Sequence, residues 1–382
     1  MRDAVALRRT AIAAVATGAL ALAGGCSLFG STKQPPDPLP TPGGAAAVSP
    51  AWSFALGAKS GVGFAPVAVG DSVWAAAQDG TVVRLDLQSG RQLWRVSAGK
   101  PLTAGVGTDG TLAVVVARDG TVLAYDAEGQ PKWATPIGTE VVTAPAVGGD
   151  TVLLRTSDNR IIAFDADTGK RRWTFQRQNP TLVLRQSGGF AMAPGAAFIG
   201  MPGGRLVALA LNNGALRWDV PLAQPRGATE LERVADVVGS PLLIGRELCA
   251  VTYQGRIGCV DAVNGQPVWL REFSSAVGLD VDGEGVIAPD ADDVIRAFDR
   301  SGAPTWQQKG YARRRLSAPL IVGRWLAIGD VEGNVLWLAR SGGRLEAVSR
   351  TDGTPIVASP AAGGGRLVVQ TSGGALHAFR LE

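Results

Sequence analysis

Apolar residues along this chain fall into short runs of strand length, broken by glycine, aspartate and asparagine. The stretch from Val141 to Phe175 shows the unit: four apolar runs separated by Gly-Gly-Asp, Asp-Asn and Asp-Thr-Gly, the last run carrying Trp173. The unit recurs at fixed register. Pro66 to Trp94, Gly105 to Trp133, Pro145 to Trp173 and Pro241 to Trp269 are each 28 residues, and Trp218 and Trp306 mark two further copies. Pro319 to Ala347 keeps the spacing without the tryptophan. An eighth copy is split: its inner runs are Ile356 to Ala361, Leu367 to Thr371 and Leu376 to Phe379, and Ala51 to Leu56, with Trp52, supplies the missing outer run.

A four-stranded sheet that is apolar on both faces cannot stand alone in water. Eight such sheets stacked radially bury each other and close a ring, so the pattern predicts an all-β, eight-bladed β-propeller with four antiparallel strands per blade, closed by an N-terminal outer strand. The first run of each unit is small and apolar, as in Ala144-Pro145-Ala146-Val147, which suits innermost strands crowded around an axis; the bulkier second and third runs are the middle strands. The outer ending follows an Asp-to-Gly-to-Trp rule, as in Asp86, Gly90 and Trp94. The Asp is expected to accept backbone N–H bonds in its turn, the Gly to supply a positive φ, and the indole to pack against the next blade. Trp52, Trp94, Trp133, Trp173, Trp218, Trp269 and Trp306 are therefore structural.

The ring departs from its own spacing at one place. Intervals between successive tryptophans from Trp94 to Trp306 are 39, 40, 45, 51 and 37 residues, so extensions of roughly 6 and 12 residues follow Trp173 and Trp218. Both join an outer strand to the next inner strand, and in an antiparallel blade such connectors emerge on one face. Enlarged neighbouring loops on a rigid scaffold are a binding-site signal. The first contains Leu182, Leu184 and Arg185; the second, Gly227 to Asp236, carries Glu230, Arg233 and Asp236. Leucines beside an arginine have the character of an interface anchor, although Leu182 and Leu184 could also start an inner strand and pack inward.

Composition adds the N-terminal organisation. Arg2, Arg8 and Arg9 precede an apolar run from Ala11 to Ala23 and then Gly24-Gly25-Cys26, too short for a bilayer span of about 20 residues. This stretch resembles a bacterial lipoprotein signal peptide, which implies cleavage before Cys26 and acylation of its thiol; a plain secretory signal is the alternative. Ser27 in place of an aspartate then implies the outer membrane. Ser27 to Pro50 holds six prolines and reads as a tether. The expected organisation is a signal over 1–25, a lipidated N-terminus and tether over 26–49, and the propeller over 50–382. The signal holds three arginines and one aspartate, so about +2 of the net charge of +4 remains on the mature chain. No basic cluster interleaved with aromatics appears, and no nucleic-acid partner is expected. Arg313-Arg314-Arg315, the densest basic run, is expected to be a solvated loop. Glycine, at 51 residues, is nearly double the usual share and serves the tight corners.

The repeat resembles that of pyrroloquinoline-quinone-dependent dehydrogenases, and repeat membership does not imply the cofactor. With the lipoprotein signal, the Pro-rich tether, eight blades and the Gly-Ala-Thr-Glu-Leu-Glu-Arg-Val-Ala-Asp insertion, the whole chain resembles the BamB family, lipoproteins of the machinery that folds outer-membrane β-barrels. That resemblance implies a lipid-anchored scaffold facing the periplasm, monomeric within a larger complex. Its partner would be a POTRA domain of BamA, the central barrel protein, with unfolded β-barrel clients as a further partner class. The family's leucine-arginine patch falls on Leu182, Leu184 and Arg185, and the first of its two acids on Asp236. Val238 stands where the second would be. The alternatives are a generic membrane-anchored propeller that binds another protein or cell-wall glycan and, remotely, a quinone-dependent dehydrogenase.

Against the dehydrogenase stand the lack of long insertions to roof an axial pocket and the absence of an adjacent cysteine pair. Asp290, Asp292 and Asp293 sit in a middle turn, where acids are ordinary, and His377 is the only histidine. No catalytic residue, metal or cofactor is expected. Cys249 and Cys259 lie on consecutive runs of the fifth blade; an oxidising compartment allows a disulfide, but two buried thiols are the expectation, because flat cross-strand geometry often holds Cβ atoms too far apart.

Overall fold

Both faces of a middle strand are apolar in this sequence, and the structure shows why. In blade one, Val73 and Ala75 point into a core shared with blade eight, while Trp74 and Ala76 point into a core shared with blade two. The computed structural model describes residues 34–381 apart from 142, 179 and 185–187. Its regular elements are all strands, arranged as eight four-stranded antiparallel sheets. Blades one to seven use consecutive strands; blade eight combines Ala361–Gly363, Arg366–Gln370 and Ala375–Leu381 with the N-terminal strand Val48–Ala55. Eight buried clusters fill the eight interfaces between neighbouring blades, the last joining blade eight to blade one, so the ring is closed. The inner strand of blade eight begins at Ala361 rather than Ile356. Ile356 lies in the preceding connector, buried over Gly329, where an added Cβ would meet it at 2.3 Å.

The tryptophan series locks each blade to the next. Trp133 donates its Nε1–H to the Ala166 carbonyl of the following blade at 2.9 Å. Its ring covers Gly169, where φ is 66° and a Cβ would stand 2.5 Å from Cδ2. Trp52, Trp94, Trp173, Trp218 and Trp306 make the same bond at 2.8–3.2 Å. Trp269 covers Gly302 in the same way, with no acceptor for its Nε1 among the described residues. The turn aspartates behave as their spacing predicts: Asp165 Oδ1 accepts from the Asp167 and Thr168 amides. Ala347 replaces tryptophan in blade seven for a topological reason. The blade it faces is the split one, whose third and outer strands, Ala375–Leu381 and Val48–Ala55, are not joined by a turn and so offer no turn glycine. Ala46, Val48 and Leu381 fill the space instead.

Two expectations about this region change. The segment from Asp37 onward is not a free tether. Asp37 N–H donates to Ala312 O, Gly43 N–H to Leu345 O at 2.8 Å and Gly44 N–H to Glu346 O at 2.9 Å, while Leu39 packs between blades six and seven. Arg314 is not solvated either. Its side chain is 4% exposed and its guanidinium lies 2.6 Å from Asp330, whose side chain is 0% exposed. It also donates to Glu332 and to the Asp37 carbonyl, so it clamps the strap to the ring. Arg313 and Arg315 on either side have φ of 64° and 49°, which turns the middle arginine inward while its neighbours stay exposed. Cys26 and the signal lie outside the described residues.

Cys249 and Cys259 form a disulfide, not two thiols. They face each other directly across the ladder, and their Cα atoms are 4.0 Å apart. Antiparallel pairs alternate between wide hydrogen-bonded and narrow non-hydrogen-bonded positions, and this pair is a narrow one. The bridge closes a short loop, so replacing both cysteines by alanine is expected to lower stability by about 2–3 kcal/mol. Intact-mass measurement of the mature protein should show the loss of two hydrogens, and a fully reduced mass would contradict the bridge.

Candidate functional site

Around the axis, small side chains and backbone of the inner strands enclose a cavity of about 580 Å³, lined by residues such as Ala65, Val67, Thr143, Ala146 and Val238. Its described lining contains no carboxylate, imidazole, thiol or amine, so it offers no general base. The acids expected in a middle turn are there: Asp290 Oδ1 accepts from the Asp292 and Val294 amides, and the Asp293 carboxylate accepts from the Arg315 and Leu316 amides. His377 lies on the blade-eight strand that pairs with Val48–Ala55, and burial holds its pKa below the usual value. Glu247 lies near the sulfurs of Cys249 and Cys259, but bonded sulfurs are not thiolate ligands.

The elaboration lies in two connectors, residues 176–189 between blades three and four and 222–236 between blades four and five. The second begins its outward excursion with a capping box. Thr229 Oγ1 accepts from the Glu232 amide, and Glu232 Oε2 accepts from the Ala228 and Thr229 amides at 2.7 and 3.1 Å. These backbone bonds hold the Glu232 carboxyl below its usual pKa. The capped turn presents Leu231 at 71% exposure, with Glu230 and Arg233 paired at 3.3 Å beside it.

One carboxylate ties the connectors together. Asp236 Oδ2 accepts from the Leu184 amide at 2.6 Å and Oδ1 from the Gly203 amide at 2.9 Å, in the middle turn of blade four. Its side chain is 0% exposed, so Asp236 is an organiser beneath the corner and not a surface contact. Burial raises its pKa, opposed by the two amides and by the charge of Arg155. Leu182 is exposed at 44%, whereas Leu184 is half-buried against the core between blades five and six. Neither belongs to the inner strand, which starts at Phe190. Arg185 lies outside the described residues. Leu231 was not singled out by the sequence, although the Thr-x-x-Glu that brackets it, Thr229 to Glu232, marks a capped turn that leaves it facing out. Arg155 was also missed; its signal is a charge ending the apolar run Thr151-Val-Leu-Leu-Arg155.

Fold and site together define an eight-bladed propeller of the PQQ-repeat type, elaborated at a connector corner and not at an axial pocket. A family model described as "Outer membrane protein assembly factor BamB" matches residues 78–308. The chain is 42% identical to the protein of that name from Bordetella pertussis, over 96% of each chain. It is 38% identical to that from Burkholderia pseudomallei, over 98% of this chain and 99% of the other. The crystal structure of BamB from Moraxella catarrhalis superposes with a TM-score of 0.80 at 25% identity, covering 87% of this chain and all (100%) of that one. The chain belongs to the BamB family of outer membrane protein assembly factors. A quinohemoprotein alcohol dehydrogenase from Comamonas testosteroni superposes with a TM-score of 0.68 at 16% identity, covering 87% of this chain and 76% of that one, and shares the fold alone. The curated relatives are named as outer membrane protein assembly factors, and the dehydrogenase likeness, at 16% identity, carries no activity over to this chain.

Proposed function

We propose that this protein is a non-catalytic scaffold lipoprotein of the outer membrane, anchored through Cys26, whose connector corner binds a POTRA domain of BamA and so assists the assembly of β-barrel proteins. The observation that carries this reading is the corner itself: two extended connectors, fastened to one buried carboxylate, of which the first exposes Leu182 and the second Leu231 beside the Glu230–Arg233 pair. Large aliphatics held out on a rigid frame, one of them flanked by a charged pair, are suited to anchor a protein partner. The names of the relatives place them in outer-membrane protein assembly, which fits a partner of that machinery.

Leu182→Ala combined with Arg185→Glu tests the reading. Capture of a purified POTRA fragment should weaken at least a hundredfold, about 2.7 kcal/mol, which is within the range of interface anchors. The melting temperature should move by only a few degrees, since Leu182 is exposed. Full capture by the folded variant would reject the corner as the docking site.

A further inference from the structure

Of the eight strands that occupy the second place in a blade, seven end in a neutral residue: Ala76, Val116, Met201, Thr252, Pro289, Gly329 and Gln370. The third blade ends its second strand in Arg155, among the largest fully buried side chains of the molecule. The guanidinium donates to Asn159 Oδ1, to the Gly188 carbonyl at 2.8 Å and to the Gly200 carbonyl at 3.0 Å. Gly188 is the penultimate residue of the first extended connector, and Gly200 lies in blade four. Burial pulls the Arg155 pKa down to about 10, and the carboxylate of Asp236 is the charge that opposes this. Asp236 in turn holds Leu184 and Gly203, and its own carbonyl accepts from the Tyr253 amide of blade five. Gly188 N–H donates to the Val237 carbonyl at 2.6 Å, at the start of blade five. One buried cation and one buried anion therefore join blades three, four and five beneath the two connectors.

We propose that Arg155 is a positioning residue for the docking corner: it never touches the partner, but through Gly188, Gly200 and Asp236 it fixes how the two connectors stand relative to each other. This rests on the docking function proposed above. Removal of the guanidinium leaves two buried carbonyls without their donor and Asp236 without the opposing charge, and the strain falls on the backbone that carries Leu184.

The test uses the full mature protein with Arg155→Met, the purified POTRA fragment as probe, and amide hydrogen exchange. Capture should weaken about tenfold, as expected for a residue that acts through others. Exchange at the Leu184, Gly188 and Gly203 amides should accelerate while blades seven and eight keep their protection. Arg155→Lys, which keeps a charge and a donor, should fall between wild type and the methionine variant in both readouts. Wild-type capture by Arg155→Met, alongside loss of capture by Leu182→Ala with Arg185→Glu, would overturn the positioning role and leave the docking reading standing. Normal capture by both would overturn the docking reading and this proposal with it. If Arg155→Met loses protection in every blade, Arg155→Lys decides: weakened capture with exchange raised only at the corner supports the role, and unchanged capture refutes it.

Discussion

Trp133→Ala is expected to lower the unfolding free energy by about 3 kcal/mol, the low end for truncating a packed aromatic because the indole is half-buried. The loss has two parts. The indole packs against the core between blades two and three, and it donates across the interface to Ala166 O. It also occupies the space that glycine leaves open at position 169. Gly169→Ala should therefore be costly by itself, both for its Cβ at 2.5 Å from the ring and for its φ of 66°. With Trp133 already truncated, the steric part of that cost disappears and only the backbone part remains. Urea unfolding of the two single variants and the double variant should show coupling well beyond the roughly 0.5 kcal/mol expected of independent sites. Additive losses would mean that tongue and groove do not bear on each other.

That pairing shows how far the sequence reaches. Tryptophan and glycine are both visible in the first six repeats, and the indole's role against the next blade follows from their periodicity. Which glycine it covers does not, because the contact joins the end of one unit to the turn of the following one. The same relation makes Ala347 intelligible: its neighbour is the blade completed by Val48–Ala55, where no such turn exists. The features that were misjudged all depend on direction or register. Composition marks residues 37–46 as a linker, but its glycine amides find carbonyls on blade seven, a property of backbone donors that proline and glycine content does not record. Cys249 and Cys259 needed a register to place them opposite one another in a narrow pair. At the candidate site, lengthened tryptophan spacing located the corner and the charges drew attention to Asp236. An acid in a long connector looks solvent-facing in sequence; here two backbone amides and a buried arginine make it the corner's internal fastening.

Arg314→Met is the second variant with a large expected effect, because it separates a buried pair by deleting one member. Asp330 would keep its bonds from the Glu332 and Asn334 amides and from Asn334 Nδ2, yet lose the cation at 2.6 Å. An uncompensated carboxylate at zero exposure costs about 3–5 kcal/mol. Exposed ion pairs elsewhere on the ring, such as Lys100–Asp119, should contribute far less. The same deletion frees the Asp37 carbonyl, so residues 37–46 should become sensitive to limited proteolysis in addition to the fall in urea midpoint. Adding Asp330→Asn removes the stranded charge but not the loss of the clamp. The double variant should therefore recover most of the stability while the strap remains cleavable. Recovery of both properties together, or of neither, would show that the buried pair and the fastening of the strap are not the separate functions that the two sets of hydrogen bonds on Arg314 make them.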